Sequence, residues 1–134
     1  MEGKKIMRNS KIVVLTHNPE EYLGVMEHIE KYGYINWSRK SNRNLEVGDY
    51  TLIYISGKKR KIRQIYYLMQ VVDKDDEKLK LKLIRKFTDK EREELSYEKL
   101  IEHGLKKGTV NFILNNNKEL YEYVLSIIKK KDLN

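Results

Sequence analysis

Apolar and polar residues alternate strictly from Lys78 to Leu83. Lys78, Lys80 and Lys82 fall on one face of an extended chain and Leu79, Leu81 and Leu83 on the other. This predicts a half-buried strand from Lys78 to Phe87 with a lysine-covered face. Upstream, Lys11 to Thr16 is a β-branched run of strand length. Tyr50 to Ser56 is apolar enough for a buried strand that Gly57 ends, and Ile62 to Val72 is a longer strand rich in Ile, Tyr and Val. Polar turns, Lys58 to Lys61 and Asp73 to Asp76, separate these strands. Residues 34–49 read as a short, polar, irregular stretch ending in Val47-Gly48-Asp49.

Helical spacing appears in three places. Asn18 can cap a helix with Pro19 at its first position and Glu21 three residues after the cap. Tyr22, Met26 and Ile29 then recur on one face, Leu23 and Val25 widen it, and Gly33 is the stop. Asp89 to Leu95 can form a turn or two, and Ser96 can cap a helix from Tyr97 to His103 that ends at Gly104. After a short apolar run, Asn111 to Leu114, a last helix from about Lys118 to Lys131 places Leu120, Val124, Ile127 and Ile128 together. The order is strand, helix, three strands, helices, a short strand or loop, and a helix. About five strands flanked by three or more helices is an α+β pattern, and curling into a small barrel buries it economically. Residues 1–10 read as a basic N-terminal arm and 11–134 as a single domain.

Composition narrows the chemistry. The chain has 134 residues and no cysteine, which excludes disulfides, thiol nucleophiles and thiolate metal sites. No run reaches the roughly 18 consecutive apolar residues of a membrane span, so no membrane partner and a cytoplasmic location are expected. With 28 basic against 20 acidic residues the net charge is +8, a balance that attracts polyanions.

Catalytic signatures are missing from the spacing. The three histidines, His17, His28 and His103, share no metal-ligand interval. Glu20-Glu21 and Glu93-Glu94 suit first helical turns and solvated faces. Ser56 before Gly57 lacks a nucleophile-elbow context, and no glycine loop cradles phosphate. The expectation is a binding module without catalytic residues, cofactor or metal.

Binding features are more informative. Lys58, Lys59, Arg60, Lys61 and Arg63 place five cations in six positions, either as a solvated turn or as a phosphate contact. Trp37, the single tryptophan, stands among Asn36, Ser38, Arg39 and Lys40. Such a Trp either plugs the end of a barrel or offers its face to a splayed base, which contributes about 1–3 kcal/mol.

Asn36-Trp37-Ser38, then Val47-Gly48-Asp49-Tyr50, then Leu52 to Ser56 and Ile62 to Val72 together resemble the EVE domain, of the PUA-like group that includes the YTH readers. Leu15 to Glu20 stands where that family turns from its first strand into a helix. Leu100 to Gly108, Asn111 and Glu119 to Val124 resemble the region after the barrel in EVE-like modules of bacterial modification-dependent restriction systems. The resemblance runs from about residue 11 to 128, and the chain lacks the aromatic residue usual early in the first strand.

The resemblance implies a PUA-like barrel that takes a flipped, methylated or hypermodified base into an aromatic cage, in DNA first and RNA second. It implies Trp37 as one wall and Tyr54 or Tyr66 as another, since Tyr66 and Tyr67 are expected to face opposite sides. Asn36, Ser38 and Ser56 would meet the base edge, and Thr16 and His17 would line the mouth. Arg39, Lys58, Lys59, Arg60 and Arg63 would hold phosphates. Any nuclease or NTPase effector would be a separate chain. Three rivals stand beside this reading: a PUA-like module that recognises RNA shape, a protein–protein adaptor, and an enzyme acting on a nucleoside.

Overall fold

The structure is a computed structural model that describes residues 10–20, 23–39, 44–57, 62–108 and 111–128. In chain order the elements are β1 (Ile12–His17), α1 (Val25–Tyr32), β2 (Tyr34–Ser38), β3 (Tyr50–Gly57), β4 (Ile62–Lys74) and β5 (Lys78–Lys86). They are followed by α2 (Asp89–Glu94), α3 (Tyr97–Glu102), β6 (Phe112–Ile113), a 3-10 turn (Leu114–Asn116) and α4 (Lys118–Ile128). The expected basic arm and the Lys129 to Lys131 end of the last helix lie outside the described residues, except for Ser10.

Six strands form one mixed sheet in the order β2-β5-β4-β3-β1-β6. β1 and β3 pair in parallel, and every other pairing is antiparallel. The sheet is curled but not closed, and it has one strand more than the sequence pattern predicts. The extra strand is β2. Residues 34–38, expected to be irregular, pair with β5 from Tyr34 opposite Lys82 to Ser38 opposite Lys78. Their alternation is there, Ile35 and Trp37 inward and Asn36 and Ser38 outward, but it is too short and polar to stand out without its partner strand.

Register shifts curl the sheet. Against β3, β4 carries an extra residue at Tyr66. Between β4 and β5, the pairing skips Ile84 on one side and Val72 on the other. Each such bulge sharpens the local right-handed twist and bends its strand. The first one also overturns an expectation from strand alternation. Tyr66 and Tyr67 both pack on the same apolar cluster, their rings edge to face at 5.9 Å.

The central strands are buried on both faces. Ile12, Val14, Leu52, Tyr54, Ile65 and Leu68 meet Leu100 of α3 and Leu120, Val124 and Ile128 of α4. On the other face, Leu15, Ile53, Ile55, Tyr67 and Met69 meet Ile29 of α1 and Leu79 and Leu81 of β5. Each such fully buried side chain contributes about 1.5–3 kcal/mol. The lysines of β5 point away from this second cluster, as the alternation predicts.

Local caps set the boundaries. Thr88 and Glu91 form a reciprocal capping box at α2, and the Ser96 side chain accepts from Lys99 N at the start of α3. Asn18 does not cap α1. Its Oδ1 accepts from Glu20 N two residues on, which stabilises a turn, and α1 begins only after Gly24 at φ +86°. Leu23, expected on the helix face, is 84% exposed. The Gly48-Asp49 turn behaves as read: Asp49 is buried and its carboxylate accepts from Lys11 N and Glu46 N, at 3.0 and 2.8 Å.

Candidate nucleic-acid interface

Curling brings the free edge of β2 round to the C-terminal end of β1. The side chains of His17 and Trp37 meet there edge to face, with ring centroids 6.2 Å apart at 69°. Beside this pair lies a recess of about 350 Å³, bordered by Thr16, His17, Val25, Ile35, Asn36, Trp37, Ser38 and Asn111. That volume falls in the usual range for a small-molecule or single-base site. Val25 and Ile35 supply apolar surface, while Asn36, Ser38, Thr16 and Asn111 supply amide and hydroxyl groups.

Each wall has a local cause. Trp37 is half-buried: β2 directs it to the side of Ile35, Leu79 and Leu81, and the edge position leaves part of the ring open. His17 pairs in register with Ile55 of β3 and shares its inward direction. Burial holds the imidazole below its ordinary value of 6.5, so it is neutral at pH 7. Asn111, just before β6, accepts from Thr16 N through Oδ1 at 2.8 Å. That bond uses the amide oxygen as an acceptor, and the NH₂ group is the amide's donor.

A second recess of about 630 Å³ lies on the other flank of the same strand. It is bordered by Asn36, Trp37, Ser38, Arg39, Asp76, Glu77 and Lys78. Arg39 is tied there, donating from its backbone N to Glu77 O at 2.9 Å and from Nη1 to Asp75 O at 2.5 Å.

The structure therefore brings together Trp37, Asn36, Ser38, Thr16 and His17, and puts Arg39 on the adjoining flank. It separates Tyr54, Ser56, Tyr66 and Arg63 from them. Ile53 and Ile55 face the Trp37 side, so Tyr54 between them faces the helices, buried with Leu52 and Leu100. Ser56 has the same parity and does not border the cleft. Arg63 follows Tyr54: its guanidinium lies 3.7 Å from the Tyr97 ring centroid of α3. Tyr66 is covered by the guanidinium of Arg92, 4.7 Å from its ring centroid. Lys58, Lys59 and Arg60 lie outside the described residues.

Compared with known proteins, the chain matches no protein-family model and no curated protein. Among solved structures it resembles a hypothetical protein from Leishmania major, with a TM-score of 0.65 over 92% of this chain and 98% of that one. At 14% identity the likeness is one of fold.

Sequence reasoning missed Asn111, Val25 and Ile35 as cleft residues. An asparagine before a two-residue strand carries no signal of its own, and the other two look like core. The alternation marks the β5 lysine face, but not that Lys78 borders the second recess or that Lys80 pairs with Asn36. Among the described residues, no three His, Asp or Glu side chains gather to hold a metal ion. No helix among them is long and apolar enough to cross a membrane.

Proposed function

We propose that this chain is a PUA-like module of EVE type that reads a modified base, in DNA first and RNA second, and acts by binding alone. The observation that carries the reading is Trp37: half-buried on an edge strand, faced by His17, and bordered by a recess of about 350 Å³. A base swung into that recess stacks on the indole, with His17, in place of the expected tyrosine, as the adjoining wall. Asn36, Ser38 and Asn111 meet its edge. The apolar side, Val25 and Ile35, is where a base methyl group gains; one buried methyl contributes only about 0.8 kcal/mol, so selectivity depends on the tightness of the fit. The net charge of +8 favours the polyanionic ligand. A nuclease or NTPase acting on the recognised site would be a separate chain.

The test is a titration of wild type and Trp37→Ala against labelled DNA and RNA oligonucleotides, unmodified or carrying methylated or hydroxymethylated adenine or cytosine. One modification should bind at least about tenfold tighter, roughly 1.4 kcal/mol, and Trp37→Ala should erase that gain. Equal binding of every oligonucleotide, unchanged in the variant, would overturn the reading.

A further inference from the structure

The outward face of β2 and β5 is a second feature, distinct from the cleft and continuous with it. Paired residues on neighbouring strands share a face, so Lys82, Lys80 and Lys78 stand beside Tyr34, Asn36 and Ser38. All three lysines are exposed. Alternate residues on a strand repeat at about 6.8 Å, comparable with the step between successive phosphates of an extended single strand. Asn36 and Ser38 belong both to this face and to the rim of the cleft.

Aromatic rings flank the lysines. Tyr32, at the end of α1, is 57% exposed, and its ring centroid lies 6.5 Å from Tyr34 and 4.7 Å from His28. The His28 ring is held by its Nδ1 against Tyr34 O at 2.8 Å. Ammonium groups sit over both tyrosines: Lys80 Nζ is 4.7 Å from the Tyr34 centroid and Lys31 Nζ is 5.3 Å from that of Tyr32. Acids gather at the opposite end. Asp73 pairs with Lys80 from β4, and Asp75, Asp76 and Glu77 form the turn before Lys78. The positive run therefore strengthens toward Lys82 and the tyrosines.

We infer that this face is a track for single-stranded nucleic acid, with phosphates on Lys78, Lys80 and Lys82 and a flanking base stacked on Tyr32. The inference shares with the base-reading proposal only the nature of the ligand, because binding along the track requires no modified base. Cations interleaved with aromatic rings, one of them 57% exposed, fit a strand whose bases are unstacked. A duplex keeps its bases stacked inside and leaves the rings without partners. An acidic peptide would meet the lysines but not the tyrosines.

The experiment uses the full chain and an unmodified fluorescein-labelled oligothymidylate, titrated over a range of salt. The variants are Lys78→Gln/Lys80→Gln/Lys82→Gln, Tyr32→Ala, and a control with the same charge loss, Lys90→Gln/Lys106→Gln/Lys107→Gln. Three phosphate contacts on a single strand give a slope of log affinity against log salt of about −2, which the track triple variant should lose and the control should keep. Tyr32→Ala should weaken binding at least about fivefold. The single strand should bind more tightly than a duplex of equal length, and poly-glutamate should compete poorly. A wild-type slope in the track variant, an equal loss in the control, an unaffected Tyr32→Ala, or equal binding of duplex or poly-glutamate would overturn the inference. If no modified base is preferred but the track variant loses its slope, the base-reading proposal falls and the track stands; the converse result separates them the other way.

Discussion

His17 and Trp37 touch edge to face at 6.2 Å although three strands of the sheet lie between β1 and β2. The contact exists because bulges at Tyr66, Val72 and Ile84 coil the sheet until its β2 edge meets the far end of β1. The cleft is the gap left where that coil does not close. Its two rings belong to different ends of the sheet, so any ligand resting against both also bridges those ends.

His17 borders the cleft and Tyr54 and Tyr66 do not, so the proposed reading makes His17 a binding wall. His17→Ala should weaken the preferred oligonucleotide by about two- to tenfold, the range of an aromatic pair, while Tyr66→Phe and Tyr54→Phe leave it unchanged. Quenching of Trp37, the single tryptophan, reports the binding directly in all three variants. A loss in Tyr54→Phe equal to that in His17→Ala would contradict the placement.

The buried imidazole gives a pH signature. The folded state lowers the His17 pKa from 6.5 through burial, so the neutral form is favoured by folding. That contribution is fully present above pH 6.5 and is lost as pH falls below it, through the folded value. A heteronuclear NMR titration should place the His17 midpoint below 6.5, and His17→Gln should flatten the fall in melting temperature between pH 7.5 and 5.

A second network ties α1 to the sheet. Tyr67 Oη donates to Glu30 Oε2 at 2.6 Å, and Lys86 Nζ donates to Glu30 Oε1 at 2.9 Å. The Tyr67 bond, then Lys86, holds the Glu30 carboxyl below its ordinary value of 4.5. This stabilisation is complete above pH 4.5 and lost as pH falls through the lowered value. Tyr67→Phe should cost about 1–2 kcal/mol in urea denaturation at pH 7, and the deficit should shrink in acid.

Asp49 provides a stability test remote from the cleft. Its two carboxylate oxygens accept from Lys11 N and Glu46 N, closing the turn that starts β3. Asp49→Ala should destabilise the fold by about 1–3 kcal/mol, with oligonucleotide affinity unchanged at temperatures where the variant is folded. Thermal melts and the same fluorescence titration check both halves.

The lysine alternation of β5, the Ser96 cap and the Gly48-Asp49 turn were legible along the chain because each is a relation between residues a few positions apart. Helix periodicity, strand alternation and turn geometry are local, so neighbouring side chains are enough to specify them. The same holds for the prominence of Trp37 among polar groups. Strand β2 was legible only once β5 lay beside it, since five mixed residues on an edge owe their conformation to the partner's hydrogen bonds. The direction of Tyr66 turned on a bulge set by the register of β4 against β3. The choice of His17 over Tyr54 as the neighbour of Trp37 turned on the coiling of the whole sheet. Register and coil arise from pairings between distant segments, and such pairings leave no period in the sequence for a local pattern to carry.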